Sequence, residues 1–473
     1  MRSTSKAGLA ARVSRLAAAT CGVFACGCVA ERPPTLPQPA PPAFEHAAGG
    51  PGAAWPAQDW YRGFGSEELD ALVEFAVANN TDLAGARERV LEADARARQA
   101  GAAILPSVSG NANANYLSGH SQQGSGHELD WFAMLSASYE VDFWGKNRAT
   151  ANAARAAAGA SRADRDTVEL TILGGVAGEY FQVLALRERV AIGRENCAAA
   201  RKVLEVVEAR FHAGAANPAE LATQRAALDR AEIALADLEQ LEAQARAALA
   251  LLLGRMPEHF EVSGGSLDAL REPVVSPGLP AELLARRPDV AVAEANLAAG
   301  SASLAAARAA MFPSLSLTAA GGVQNPALPA TVLTIPGVGP SLALGANLTQ
   351  PIFDHGRLSA QRDEVAARER ELLAAYRAAI IAALVDVEDA LGTLEHLNAT
   401  REFEQESLEQ SERAFEAASL RYQRGAGDFL TVLESQQSLY LARDQFAQYK
   451  LARLESLIAL CKALGGGWQE SYR

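Results

Sequence analysis

The stretch SVSGNANANY, Ser107 to Tyr116, alternates residue by residue. Ser107, Ser109, Asn111, Asn113 and Asn115 are polar, while Val108, Gly110, Ala112, Ala114 and Tyr116 are not. A period of two is the mark of a strand with one wet and one dry face. Its surroundings are rich in Ala, Leu, Glu and Arg, which favour helix. A short two-faced strand among long helices poses the central question of this fold.

Working outward, the chain repeats itself. RFHAGAANPAELATQRAAL from Arg210 matches RYQRGAGDFLTVLESQQSL from Arg421 at an offset of 211, without a gap through Gly254 and Gly465. The pairs Leu221/Val432, Leu228/Leu439 and Leu235/Phe446 stand seven apart, a heptad-like seam. DLAGARERVLEADARARQAGAAILPSVS from Asp82 matches DVAVAEANLAAGSASLAAARAAMFPSLS from Asp289 at an offset of 207, aligning Pro106 with Pro313.

Each half therefore predicts the same order. A helix of about 24 residues ends at the proline. Two alternating strands follow: Ser107–Tyr116 and Leu129–Phe143 in the first half, Ser314–Val323 and Leu342–Phe353 in the second. SGHSQQGSGHE and QNPALPATVLTIPGVGP read as the loops between them. A proline-free helix of about 65 residues, roughly 100 Å long, runs from Lys146 to Arg210 or from Arg357 to Arg424. It reverses at Gly214-Ala215 or Gly425-Ala426, and a helix of about 34 residues returns to Gly254 or Gly465. The expected layout is residues 1–27 as a signal, 28–60 as a Pro-rich linker, 61–270 as the first repeat and 271–473 as the second with a C-terminal tail.

Four strands cannot close a barrel, because small membrane barrels start at about eight. On one face of the second strand lie Leu129, Trp131, Ala133, Leu135, Ala137, Tyr139, Val141 and Phe143. Asp130, Ser136, Ser138, Glu140 and Asp142 mark the other, with Phe132 and Met134 as exceptions. In the fourth strand Leu342, Leu344, Ala346, Leu348 and Ile352 oppose Asn347 and Thr349. This is the pattern of a membrane barrel with strands pooled from several copies, and an ordinary soluble sheet is the competing reading. Trp131 and Trp144 fit interfacial aromatics, since about 13 residues of tilted strand cover roughly 30 Å of height.

Composition bounds the function. The chain has 473 residues, 49% of them hydrophobic and only 6% aromatic. Such alanine-rich, aromatic-poor helices suit close coiled-coil packing. The net charge of −13 argues against nucleic acid, which needs a basic face. No continuous run of about 20 apolar residues follows the N-terminal segment, so no membrane helix is expected there. The seven histidines, His120 and His127 in one loop included, show no ligand spacing, so neither metal nor cofactor is expected. No phosphate loop or nucleophile elbow stands out, and the chain does not read as an enzyme.

Arg2, Lys6, Arg12 and Arg15 precede an apolar run to Ala25, a secretory signal. The run ends in VFACGCVAERPP, which resembles a bacterial lipoprotein signal. In that pattern the cysteine after small residues is acylated and becomes the mature N-terminus. Gly27 stands directly before Cys28, which marks Cys28 for the lipid. Ala25 occupies the place where leucine is usual, and Cys26 is the alternative. An ordinary cleaved signal is a further reading. Val29 in place of aspartate favours the outer membrane. Cys197 and Cys461 read as small helix-face residues.

Taken together, the motifs resemble the TolC-like outer-membrane factors of tripartite efflux pumps, in particular the OprM-type lipoproteins. The likeness rests on WYRGFGSEELDALVEFAVANNTDLAGARERV, LPSVS, SYEVDFWGK, RFHAGA, LLLGRMP, ARRPDVAVAEANLAAG, FPSLSL, PIFDHGRL, VEDAL, RYQRGAGDFLTVLESQQSL and ALGGGW, in that order. It implies a mainly α chain with a small β part. Three chains would form a long helical barrel across the periplasm, capped by a twelve-stranded barrel in the outer membrane. The equatorial belt would come from GSEELDALVEFAV, residues 255–287 and the C-terminal tail.

The implied role is passive export of small toxic molecules or drugs, with a periplasmic membrane-fusion adaptor, an inner-membrane RND-type pump and outer-membrane lipid as partners. A type I protein-secretion channel on the same scaffold and a pore-less periplasmic scaffold are the alternatives. The resemblance puts adaptor contacts at the turns of Arg210, Gly214 and Ala215 and of Arg421, Gly425 and Ala426. It puts the periplasmic gate at Leu430 and Glu434, a leucine ring and an acidic ring in the trimer. An arginine often stands three residues beyond the acid; here it is Gln437.

Overall fold

A computed structural model describes residues 41, 43–46, 55–121, 124–275, 278–325 and 339–469. The chain divides into Met1–Pro39, outside the described residues, and Ala40–Arg473.

After a short 3-10 turn at Trp60–Phe64 come α1, Glu67–Asn79, and α2, Thr81–Ala102. Strands β1, Ser107–Ser121, and β2, Gly124–Val141, lead into α3, Lys146–His212, which returns as α4, Pro218–Leu252. A connecting segment holds the single-turn α5, Pro280–Leu283. The same order follows in α6, Pro288–Ala309, β3, Ser314–Asn325, β4, Gly339–Thr349, α7, Arg357–Gln423, and α8, Phe429–Ala463. Both long helices have 67 residues, about 100 Å at 1.5 Å per residue.

Local chemistry starts the helices at these points. Ser66 caps α1 by accepting the Leu69 N–H at 3.2 Å, with Glu67, Glu68 and Asp70 in the first turn. Asn80 Oδ1 accepts from the Asp82 and Leu83 N–H groups, both at 2.9 Å, and its Nδ2 donates to the Leu252 carbonyl, tying the start of α2 to the end of α4. Asp142 and Asp354 play one role in the two halves, accepting backbone N–H groups from the first turns of α3 and α7.

The strands form one antiparallel sheet in the order β1-β2-β3-β4. Register aligns like with like. Ser109 faces Ser136, Ser138 faces Thr318, and Ser316 faces Asn347 on the polar face. Gly110 and Leu135, Tyr139 and Leu317, Leu315 and Leu348, and Ala319 and Leu344 make the apolar one. Ser109 and Ser136 hydroxyls meet at 2.8 Å, and Asn111 Nδ2 donates to Ser136 at 3.2 Å.

The strand ends differ from expectation. β1 and β2 continue through most of SGHSQQGSGHE, so their hairpin is tighter than the composition of that segment implies. β4 stops at Thr349 rather than Phe353, because Pro351 has no N–H for the ladder. β2 stops at Val141, so Trp144 lies past the strand end. There it stacks on Phe312 with centroids 4.6 Å apart and donates Nε1–H to the Pro313 carbonyl at 2.8 Å. Trp131 stays within β2, opposite Ala114 and Asn325.

Among the described residues one helix, α6, is long and apolar enough by length and composition to cross a bilayer, with a mean hydropathy of 1.3 in its best window. Its apolar character is largely alanine, it carries Asp289, Glu294 and Arg308, and it packs along α3 and α7. The main core joins Phe64, Leu69, Phe181, Leu184, Leu249 and Leu457 across α1, α3, α4 and α8. A smaller one, Val203, Val207, Ala418, Tyr422 and Val432, lies at the far end of the helices.

Candidate functional site

At that far end two turns of one design lie side by side. Gly214 and Gly425 take left-handed backbones at φ 72° and 73°. Ala215 N–H donates to the Arg210 carbonyl at 2.7 Å, and Ala426 N–H to the Arg421 carbonyl at 2.9 Å, closing the last helical turn in each half. Asn217 then caps α4 through the Glu220 N–H at 2.9 Å. Asp428 caps α8, accepting the Thr431 N–H at 2.9 Å and its hydroxyl at 2.7 Å. Those Thr431 bonds, side chain first and backbone second, hold the Asp428 carboxyl below its ordinary pKa.

The turns are not used alike. Arg210 spans the two halves: its guanidinium lies 4.5 Å from the Tyr422 ring centroid and donates to the Tyr422 carbonyl at 3.3 Å and the Ala215 carbonyl at 3.4 Å. Its counterpart Arg421 is exposed, and its guanidinium makes no hydrogen bond or ion pair among the described residues.

Helix α8 starts directly after the second turn. Val432, Gln436 and Leu439 are buried, and Leu430, Glu434 and Gln437 are exposed on the opposite side. Glu434 has no ion-pair partner among the described residues. Higher up, α8 is fastened to α3. Arg189 meets Asp444 in a two-pronged pair at 2.6 and 3.1 Å, and Lys450 reaches Glu188 at 2.5 Å and Asp268 at 2.9 Å. Burial opposes the Lys450 charge, but the two carboxylates outweigh it and raise the pKa. Arg453 grips Glu272 at 2.5 and 2.9 Å and holds that carboxyl below its usual range.

Sequence reasoning missed these clamps. Their members look like ordinary solvated helix charges until α3 and α8 are placed together. It missed a second feature as well. Phe44 is buried against Leu283, Val290, Val387 and Leu391, and the Glu45 and His46 N–H groups donate to Glu388 at 2.8 and 3.3 Å. Cys28, with the signal and the first part of the linker, lies outside the described residues. No group of three or more metal-binding side chains occurs among the described residues.

The packing leaves the fold unfinished in one chain. α3 packs on α2 and α4 of its own half and on α6 and α8 of the other, whereas the extensive helix contacts of α7 are with α6 and α8. The sheet likewise leaves β1 and β4 each with one open edge. Exposed Ile381, Val385, Phe403 and Leu420 lie on α7.

The profile of the outer membrane efflux protein family matches residues 72–255 and 279–466. The pyoverdine export outer membrane protein OpmQ of Pseudomonas aeruginosa is 43% identical over 439 residues, 91% of this chain and 92% of that protein. The cation efflux system protein CusC of Escherichia coli is 30% identical over 414 residues, 87% of this chain and 88% of that protein. Among solved structures, the outer-membrane channel OprN superposes with a TM-score of 0.85 at 24% identity, covering 93% of this chain and all of that one. A CusC structure gives 0.80 at 27% identity, covering 93% of this chain and all of that one. The chain belongs to the outer membrane efflux protein family. It is an outer-membrane channel subunit of an efflux system, a passive transport protein rather than an enzyme. Its fold is one third of a trimeric helical barrel with a strand barrel on top.

Proposed function

We propose that this protein is the exit duct through which small molecules, toxic compounds and drugs among them, leave the cell after hand-over from an inner-membrane RND-type pump and a periplasmic adaptor. Relatives of one fold bear different cargoes in their names, pyoverdine for one and cations for another, which supports a selectivity set upstream of the channel. The exposed turns around Gly214 and Gly425, with Arg210, Ala215, Arg421 and Ala426, are the proposed adaptor contacts. Trp131 and Trp144 are the proposed membrane-interface aromatics. Acylation of Cys28 is the proposed anchor, and a lipid added to a barrel exceeds what stable attachment requires. Intact mass checks this: Cys28→Ala loses the acyl mass, and an unchanged acyl mass would move the anchor to Cys26.

Helix α8 carries the gate. The observation behind this reading is that Leu430 and Glu434 stand one turn apart on its exposed side, right after the hairpin turn. Threefold repetition makes the leucines a dry constriction and the carboxylates an anionic ring that attracts cations. Gln437 supplies an amide but no countercharge. Single-channel recording in planar bilayers tests it. Leu430→Ala raises conductance several-fold, and Glu434→Gln lowers cation preference without loss of trimers. Two intact trimeric variants indistinguishable from wild type would place the gate elsewhere.

A further inference from the structure

The exposed face of α8 continues past the gate positions. Leu430, Glu434, Gln437, Leu441, Gln445 and Gln448 are all exposed. At 100° per residue they fall within a sector of about 80°. The face carries a carboxylate and three amides, with Glu455 on the same line further up. On α8 the exposed large apolar side chains are Leu430 and Leu441, at 59% and 54%. A stripe of amides and acid suits water, whereas the four exposed apolar side chains of α7 suit the close approach of a second chain. Leucine at two positions of a water-facing stripe, each more than half exposed, is not accounted for by the buried cores of the chain.

We propose that Leu441 forms a second dry ring in the duct, eleven residues or roughly 16 Å beyond Leu430. This rests on the reading of Leu430 and Glu434 as lumen-facing. The two rings enclose a short hydrated compartment lined by Glu434 and Gln437. A solute then crosses two apolar barriers in series, and opening the first alone raises conductance but leaves the second barrier in place. The arrangement selects against strongly hydrated ions, which lose water twice, and favours amphipathic solutes with an apolar surface.

Cysteine substitution with single-channel recording tests this. Leu441→Cys and Leu430→Cys trimers are exposed to a positively charged methanethiosulfonate. Wild type is the control, because Cys197 and Cys461 are buried. Both variants should lose conductance on modification. Leu430→Ala combined with Leu441→Ala should conduct several-fold better than either single change. If Leu430→Cys responds and Leu441→Cys does not, the second ring is wrong and the gate reading stands. If neither responds in an intact trimer, the gate reading falls and takes the second ring with it. If Leu441→Ala breaks the trimer apart, Leu441 is a subunit contact and the proposal is overturned.

Discussion

His46 shows how a single side chain takes its meaning from what folds against it. Its Nδ1 lies 2.8 Å from Glu395 Oε2, and its backbone N–H shares Glu388 with that of Glu45. Glu388 and Glu395 are seven apart on α7, so they present together. Gly392 lies between them, and a Cβ there would meet the His46 ring at an ordinary contact distance of 3.6 Å. The hydrogen bond with Glu395 raises the His46 pKa; the charges of Glu395, Glu45 and Glu388 add to this, and together they outweigh the loss of hydration. The sign follows. A raised folded value means the contact stabilises fully below the ordinary value of 6.5 and is lost as pH rises through the folded value. The melting temperature of wild type should exceed that of His46→Gln at pH 6, and the gap should close at alkaline pH. A pH-independent gap would show that the imidazole charge plays no part. Cys461 is the opposite case, a thiol that burial pushes up to about 12 and leaves unreactive.

At the scale of elements the two halves share a plan but not their surroundings. Arg210 clamps the end of α7 because the second half lies against the first. Arg421 has the same sequence context and no second half to hold. If the trimer repeats the Arg210 contact between chains, the 211-residue offset would put Arg421 against Phe211, the counterpart of Tyr422. Arg421→Ala should therefore lower the temperature at which trimers dissociate and leave helix content unchanged by circular dichroism. An unaltered dissociation temperature would restrict Arg421 to adaptor contact. Element boundaries were legible where chemistry is local. The prolines, the glycine turns and the capping Asn217 and Asp428 are all visible in the chain. The strand ends near residues 118–128 were less so, because pairing to a partner strand overrides the turn preference of Ser and Gly.

For the whole molecule, the open edges of β1 and β4 and the uncovered side of α7 are one fact seen twice. Unpaired backbone in lipid costs several kcal/mol per group, so a four-stranded sheet in a bilayer requires its neighbours. Three four-stranded sheets make twelve strands, and α2 and α4 of the next chain can cover α7 as α6 and α8 cover α3.

The sequence by itself determined what depends on period and local chemistry: two-faced strands, long proline-free helices, reversals at Gly214 and Gly425, and a plan repeated at a fixed offset. Tertiary structure decided which charges matter. Arg189, Asp444, Lys450 and Arg453 look no different in the chain from dozens of solvated neighbours. Only the placement of α8 along α3 and the connecting segment desolvates them and gives them partners. It also decided that Arg210 is engaged while Arg421 is not, and that Phe44 is core rather than linker. A period is written along one strand of residues, but burial and pairing depend on distant ones, and those distances exist only once the chain has folded.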